Sequence, residues 1–261
     1  MAVNVVTAVC LAASLAAQAI PAGVLPAPAG SAHRDFVAVS RTDPTIISDI
    51  RYATSHNFVG RRIDGYREPL CILTEQAATA LGKAQRAVRK QGYSLKVYDC
   101  YRPQRAVNDF VKWAGDPGDQ RMKREFYPKV NKEVLFEEGY IAEKSGHSRG
   151  STLDLTLVKL PPKPQPAYRP GQPLVPCTAS VRKRFPDNTI DMGTGYDCFD
   201  PLAHTLDPRI TGVPLANRLL LKRAMTAAGF TNYELEWWHY TLAGEPFPDR
   251  YFDFPVAGSS L

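Results

Sequence analysis

Two histidines and two acidic residues lie in short stretches of unusual composition, far apart in the chain. The stretch SGHSRGSTLDLTL contains His147 and Asp154, and the stretch EWWHYTL contains Glu236 and His239. Two imidazoles and one carboxylate form a three-ligand set for a catalytic zinc ion, with the fourth position left to water. The histidines and Asp154 are therefore the predicted metal ligands. A carboxylate that does not bind the metal can take the proton of that water, and Glu236 is the predicted base.

Asp154 has the sequence context that argues most strongly for a metal. Leu153, Leu155 and Leu157 alternate along a strand predicted for STLDLTLV, so they share the face assigned to the core. Asp154 must point the other way, where its carboxylate is partly desolvated. A desolvated charge is unfavourable unless it is paired or binds a metal. A solvated polar face is the alternative, and it accounts for Asp154 less well.

The alternative for EWWHYTL is a core strand that happens to contain one histidine. We treat His33, His56 and His204 in this way, as surface or hydrogen-bonded residues without a metal. On a regular strand Glu236 and His239 would face opposite sides. Both can reach one metal-bound water only if the strand bulges or ends between them, and the sequence does not decide which.

Arg102 is the candidate for stabilising negative charge on a reacting carbonyl. In DCYRPQRA it lies between a predicted strand and a predicted helix that begins near Pro103. Its planar guanidinium suits an oxyanion. The alternative is a surface arginine at a helix start, where the helix dipole is unfavourable to a cation.

The elements around these residues predict an α+β fold with a small central antiparallel sheet and flanking helices, because helices and short strands mix without a βαβ rhythm. Thr74 is the expected N-cap of the first long helix. The predicted helices cover about 74–91, 103–115, two short segments within 120–139, and 214–229; the predicted strands are YSLKVYD, STLDLTLV and NYELEWWHYTL.

The N-terminal region predicts export. Residues 1–20 contain no charged side chain and end in an A-x-A pattern, which indicates a signal peptide. A transmembrane anchor is the alternative, but the apolar run is short and breaks at Pro21. Residues 21–35 read as a Pro/Ala/Gly linker and 36–261 as one catalytic domain, in which the proline-rich 158–190 is a surface insertion.

Four cysteines remain once the signal peptide is removed, and an even number in an exported chain favours two disulfides. The first long helix would rise roughly 27 Å and the strand after it would return roughly 20 Å, which brings Cys100 near Cys71. Cys177 and Cys198 would then pair by elimination. Four reduced, buried cysteines are the alternative.

Composition excludes some classes of protein. The chain has 44% hydrophobic residues, enough to bury a sizeable core, and a net charge of +6 without a long Lys/Arg run of the kind that binds nucleic acid. The mild basic excess suits an anionic cell wall or membrane surface, or only aids solubility. No stable membrane span is expected in the mature chain.

Several of these stretches, taken together, resemble the zinc D-alanyl-D-alanine dipeptidases of the vancomycin-resistance type. The matching stretches are SGHSRGSTLDLTL, EWWHY, YDCYRP, RYATSHNFVGRRIDGY, DMGTGYDCFD and EPFPDRYFDFPV, which span roughly residues 36–256. The resemblance implies one zinc ion on the predicted ligands, with Glu236 as general base and Arg102 stabilising the tetrahedral intermediate. It also implies a pocket for D-Ala-D-Ala lined by Tyr52 and Ser145, and an amine contact at Asp197.

The chain departs from the resistance enzymes in its signal peptide, its cysteines and its longer 158–190 segment. An exported enzyme would meet D-Ala-D-Ala in peptidoglycan turnover or nutrient recovery. Two alternatives stay open: a zinc D,D-carboxypeptidase or endopeptidase that cleaves longer stem peptides, and a non-catalytic zinc module that binds wall peptides.

Overall fold

The computed structural model describes Met1 and residues 32–261. The predicted signal peptide, apart from Met1, and most of the predicted linker lie outside the described residues. At the linker's end, the backbone N–H of Ala32 donates to the carbonyl of Ser260 at 2.7 Å, so this part of the chain lies against the C-terminal turn. No helix in the described part of the chain has both the length and the apolar character needed to cross a bilayer.

The described residues form seven strands and five α-helices. The strands are β1 (Phe36–Ala38), β2 (Ile47–Ser48), β3 (Ile72–Thr74), β4 (Tyr93–Asp99), β5 (Thr152–Lys159), β6 (Phe230–Asn232) and β7 (His239–Leu242). The helices are α1 (Val39–Thr42), α2 (Glu75–Arg89), α3 (Gln104–Ala114), α4 (Lys123–Phe126) and α5 (Gly212–Ala227). Short 3₁₀ turns lie at Arg51–Ala53, Lys132–Val134, Gly146–Arg149, Pro201–Ala203 and Gly258–Ser260.

The central sheet has five strands in the order β2–β4–β5–β7–β6, and β1 pairs with β3 in a separate two-stranded sheet. The α+β prediction is confirmed. The sheet is mixed, however, because β2 runs parallel to β4 while the other pairs are antiparallel. The prediction of an antiparallel sheet is therefore wrong for β2, a two-residue strand too short to leave a pattern in the sequence.

The sequence predicts the long elements well and one strand wrongly. Helices α2, α3 and α5 match their predicted ranges to within two residues, and the Thr74 side chain accepts a hydrogen bond from Ala77 N as the expected N-cap. Within 120–139 only α4 and the 3₁₀ turn at Lys132–Val134 form. The single strand predicted for NYELEWWHYTL is wrong, because only its ends are strand: Asn232 is the last residue of β6, His239–Leu242 forms β7, and 233–238 is a turn between them.

Both faces of β5 are buried. Leu153, Leu155 and Leu157 have no exposed surface, which confirms the predicted core face. Thr156, on the opposite face, is also fully buried, because its hydroxyl contacts the hydroxyl of Thr189 in the proline-rich segment. The insertion thus covers part of the sheet face that also carries Asp154.

A buried charge cluster holds the insertion on the sheet. Asp187 accepts hydrogen bonds from Arg51 Nη2 at 2.9 Å, from the Tyr98 hydroxyl and from Lys96 Nζ. Burial alone would raise the pKa of Asp187, but the cationic Arg51 and Lys96 outweigh it and lower the pKa below its ordinary value. The carboxylate is therefore ionised. Together with Asp49, which lies 3.0 Å from Arg51 Nε and 3.5 Å from Lys96 Nζ, it balances the two buried cations.

Replacing Asp187 by Asn should destabilise the fold by about 3 kcal/mol at pH 7, because Arg51 and Lys96 lose one of their two carboxylate partners and keep only Asp49. The folded-state pKa of Asp187 is depressed, so its contribution is present above the unfolded pKa of about 3.9 and is lost as pH falls through the lower folded value. The difference between wild type and variant should therefore shrink at acid pH. Urea unfolding at several pH values measures it.

Asp253→Asn is the matched control, since the Asp253 side chain is 47% exposed in its pair with Arg105. An exposed pair contributes about 0–1 kcal/mol. Equal losses of stability in the two variants would contradict the role assigned to Asp187.

Candidate functional site

The sheet brings residues from distant parts of the chain into one row. Asp154 on β5 pairs in register with Asp99 on β4 and with His239 on β7. His147 lies in the 3₁₀ turn that enters β5, and Gly150 ends that turn with a left-handed φ of +84°. Strand pairing therefore places Asp154 and His239 side by side, while the tight turn folds His147 back toward them.

The predicted metal ligands converge. Nε2 of His147 lies 3.3 Å from Oδ1 of Asp154, Nδ1 of His239 lies 3.2 Å from the same oxygen, and the two nitrogens are 3.4 Å apart. These three residues form a group that could hold a metal ion, with each offering one ligand atom within 4.8 Å of the others. The three side chains that the sequence selected therefore lie together, and their role as metal ligands stays a prediction.

The donor atoms have the environment that a cation site requires. Oδ1 of Asp154 is buried and has no hydrogen-bond partner among the described residues, because its contacts to the two imidazoles lack hydrogen-bond geometry. Nδ1 of His147 lies 2.7 Å from the carbonyl of Cys100, which can only accept, so this nitrogen donates. The lone pair of Nε2 then faces the cluster, as in ligand histidines fixed by a carbonyl. The residues fit a divalent metal.

The pKa shifts of Asp154 and His239 also indicate a site for positive charge. Burial would raise the pKa of Asp154, but the neighbouring imidazoles of His147 and His239 lower it well below its usual value. Burial would lower the pKa of His239, but the carboxylates of Asp154 and Glu236 raise it to about 9. The cluster therefore favours positive charge, supplied by a proton or by a metal cation.

Glu236 lies in the turn that precedes β7, and β7 begins at His239. The regular strand therefore does not extend back to Glu236. The sequence left open whether a bulge or a strand end separates the two residues, and the structure has a strand end. Oε2 of Glu236 lies 3.2 Å from Nδ1 of His239, and the glutamate side chain is 18% exposed at the cavity. Glu236 in the turn and His239 at the start of β7 therefore meet at the cavity.

Arg102 is held at the cavity by groups on three sides. Its Nε donates to Oδ2 of Asp99 at 2.9 Å, and its Nη2 lies 3.7 Å from Oδ2 of Asp154. The guanidinium lies over the rings of Tyr52 and Phe110, with centroid distances of 5.0 and 5.1 Å. The side chain is only 12% exposed, so Arg102 is a fixed cation facing the cavity and not a surface residue.

A cavity of about 200 Å³ opens onto the cluster. It is smaller than the sites of about 300–1,000 Å³ that take drug-sized ligands. Every predicted ligand, catalytic and pocket residue lines it: Tyr52, Arg102, Ser145, His147, Asp154, Asp197, Glu236 and His239. The remaining wall comes mostly from Phe58, Phe110, Phe199, Tyr233 and the 139–144 segment.

Two of the predicted pocket residues contact each other. The Tyr52 hydroxyl donates to Oδ2 of Asp197 at 2.8 Å. Burial, together with the charge of Asp154, raises the pKa of Asp197 well above its ordinary value. Asp197 also has a φ of +54°, uncommon for a residue with a side chain and a form of backbone strain found often at functional sites. Ser145 caps the 3₁₀ turn by accepting from His147 N at 3.3 Å.

The structure pairs Cys71 with Cys100 and Cys177 with Cys198, with Cα–Cα distances of 5.2 and 5.6 Å. The first disulfide fixes the segment that follows Asp99, and the second fixes the residue after Asp197. His56, which the sequence left as an ordinary residue, is buried away from the cluster and contacts Glu125 at 2.8 Å.

Two residues of the site were missed in the sequence. Asp99 is fully buried and accepts from Arg102 and from the Tyr66 hydroxyl. A carboxylate at the end of a buried strand, three residues before the predicted Arg102, was a signal that could have identified it. Tyr196 donates to Oδ2 of Asp154 at 2.9 Å. Its sequence context carries no such signal, because the contact depends on how a loop packs on β5.

Comparisons with known proteins cover most of the chain. The family model of peptidase M15, described as D-ala-D-ala dipeptidase, matches residues 32–162 and 171–257. A D-alanyl-D-alanine dipeptidase of Streptomyces coelicolor is 40% identical over 223 residues, covering 85% of this chain and 98% of that protein. Proteins of the same name from Enterococcus faecium and Enterococcus faecalis are 39% and 37% identical, each over 80% of this chain and 91% and 92% of their own lengths.

Proposed function

This chain belongs to the M15 peptidase family of D-ala-D-ala dipeptidases, and we propose that it hydrolyses D-alanyl-D-alanine to two molecules of D-alanine. It is accordingly a metallopeptidase. The observation that carries the proposal is the convergence of His147, Asp154 and His239 on one point of a small cavity that also holds a glutamate and an arginine. That set supplies a metal site, a base and a cation in one place.

The proposed cofactor is one zinc ion on His147, Asp154 and His239. Two imidazoles and one carboxylate are a known ligand set for catalytic zinc, with three protein ligands and the fourth position left to water or substrate. When bound there, zinc would supply Lewis acidity that polarises a carbonyl and acidifies water. The unpartnered Oδ1 of Asp154 supports this assignment, since a cation is the partner that a buried anionic oxygen lacks.

In the proposed mechanism Glu236 is the general base and then the general acid. Its carboxylate takes a proton from the water that attacks the peptide carbonyl, so a C–O bond forms. It then gives that proton to the amide nitrogen as the C–N bond breaks, which releases both products. Its position at the cavity, 3.2 Å from His239, supports the role, because the reacting water must lie close to the metal ligands.

Arg102 is proposed to stabilise the negative charge on the carbonyl oxygen during attack. Its hydrogen bond to Asp99 and its place over two aromatic rings hold the guanidinium before the substrate arrives. A preorganised donor of this kind needs no reorganisation when charge develops.

The pocket residues support selection of a free dipeptide. We propose that Asp197 meets the substrate's ammonium group and that Tyr52 and Ser145 line the pocket around it. The Tyr52 hydroxyl fixes the Asp197 carboxylate. Because burial and Asp154 raise the pKa of Asp197, an arriving ammonium group is the cation that would favour its ionised form. A substrate with a blocked amine cannot make that pair and binds less well.

We propose further that the enzyme is exported and acts on D-Ala-D-Ala released during peptidoglycan turnover. The two disulfides support this, since such bonds persist in oxidising compartments. The uncharged residues 1–20 with their A-x-A ending agree with export.

A substrate panel with the purified, zinc-loaded protein tests the function. D-Ala-D-Ala should be cleaved with a kcat/KM at least about 100-fold above that of L-Ala-L-Ala, N-acetyl-D-Ala-D-Ala and a stem pentapeptide ending in D-Ala-D-Ala. Preference for the pentapeptide would instead identify a D,D-carboxypeptidase. Failure to cleave any member of the panel would favour a binding module.

Replacing Glu236 by Gln should lower kcat by a factor of about 10² to 10⁴, because the general base is lost while the side-chain shape is kept. Zinc content should remain near that of wild type, since Glu236 is not a ligand in this proposal. The control is Glu234→Gln, an exposed acid in the same turn that does not line the cavity. A kcat near the wild-type value in Glu236→Gln would remove the assigned role.

A further inference from the structure

The two oxygens of the Asp154 carboxylate have different surroundings. Oδ1 faces the two imidazoles and has no hydrogen-bond partner among the described residues. Oδ2 points away from them and accepts a hydrogen bond of 2.9 Å from the hydroxyl of Tyr196. The nearest cation to Oδ2 is Arg102, whose Nη2 at 3.7 Å is beyond hydrogen-bond distance. Tyr196 is thus the group that fixes the carboxylate's orientation.

Packing holds Tyr196 in one position. Its ring stacks on the ring of Tyr98 with a centroid distance of 4.3 Å and an interplanar angle of 14°. Trp238 packs edge-on against it at 5.5 Å. The Tyr98 hydroxyl is in turn bound to Asp187 of the insertion. A side chain confined on two faces places its hydroxyl with little freedom, so the bond to Oδ2 is preorganised.

The same hydroxyl lies 3.5 Å from that of Tyr52, at the limit of a hydrogen bond. A phenol has one proton to donate, and the shorter contact to an anionic acceptor takes it. The Tyr196 hydroxyl therefore interacts more strongly with Asp154 than with the Tyr52 hydroxyl, which itself donates to Asp197.

We propose that Tyr196 is a positioning residue for the metal centre: its hydroxyl holds Oδ2 so that Oδ1 alone faces the two imidazoles. The inference rests on the proposed metal site and adds to it a residue outside the ligand set. Without the hydroxyl, the carboxylate is free to rotate about its terminal bond, and Oδ2 loses its hydrogen-bond partner. Groups that hold a ligand in this way typically affect metal affinity by about 10- to 100-fold.

The test compares the zinc affinity of wild type with that of Tyr196→Phe. Apoprotein competes with a chromophoric chelator for zinc at fixed pH, which gives the dissociation constant without any turnover. We expect that constant to rise at least about 10-fold in the variant. A value within twofold of wild type would overturn the proposal.

Tyr127→Phe is the matched control. Tyr127 is fully buried, its hydroxyl makes one weak hydrogen bond of 3.4 Å to the carbonyl of Asp119, and it does not line the cavity. Its loss should leave the zinc affinity unchanged. A fall in affinity equal to that of Tyr196→Phe would mean that removing any buried phenol hydroxyl has this effect, and it would also overturn the proposal.

Phenylalanine keeps the ring that stacks on Tyr98, so Tyr196→Phe should fold. The zinc-induced rise in Tm is measured within each protein, so a general loss of stability is separated from a loss of affinity. The readout also separates this inference from the proposed function. Wild-type protein that fails to bind zinc would refute the metal site itself, whereas equal affinities in wild type and variant would refute only the role of Tyr196.

Discussion

A carboxylate buried in the middle of the central sheet is the constraint on which the site depends. Asp154 is 2% exposed and lies between strands on both sides. An ionised group in that position requires positive charge and hydrogen-bond donors close by. The neighbouring strands and turns supply them: imidazoles reach one oxygen, and a phenol and a guanidinium approach the other. The ligand geometry follows from satisfying that one anion.

The covalent framework holds the segments that approach Asp154. Cys100 follows Asp99, and its carbonyl accepts a hydrogen bond from Nδ1 of His147. The Cys71–Cys100 disulfide therefore anchors the strand end that orients this imidazole. The Cys177–Cys198 disulfide ties the insertion to the loop that carries Tyr196 and Asp197. Both crosslinks thus lie beside the site, where small displacements of the backbone would move the ligands and the pocket.

The insertion belongs structurally to this arrangement. It covers part of the sheet face that carries Asp154 and is fixed there by Asp187, whose partners include Tyr98, the residue on which Tyr196 stacks. The family match omits residues 163–170 within it. The flanking parts, which contain Asp187 and Thr189, lie inside the matched ranges. Gln165 in the omitted part also contacts the sheet, since it accepts a hydrogen bond of 2.8 Å from Lys96 Nζ on β4. Residues inside and outside the family match thus both hold the segment on the sheet.

Much of the site could be predicted from sequence because its residues carry chemical signals. Two histidines, a carboxylate between leucines and an arginine before a proline are each recognisable, and the sheet brings them together. Helix α2 was predictable for a similar reason, since its apolar stripe and its N-cap Thr74 are local features. Sequence periodicity identifies which face of an element is buried, and the type of a residue on that face indicates what partner it requires.

The remaining features depend on pairing between distant segments. The turn before His239 interrupts a run of aromatic residues that looks like one strand, because Asn232 bonds the carbonyls of Glu236 and His239 and closes the turn. The parallel pairing of β2 rests on two residues. The bond from Tyr196 to Asp154 needs the loop and the strand to meet. Local patterns contain none of this information.

The most direct test of the shared metal site is a crystal structure of the zinc-loaded protein with an anomalous difference map at the zinc absorption edge. The account predicts one zinc per chain among His147, Asp154 and His239, with Zn–N distances of about 2.0–2.1 Å and a single close Asp154 oxygen at about 2.0–2.2 Å. Zinc bound elsewhere, or bound without Asp154, would contradict it.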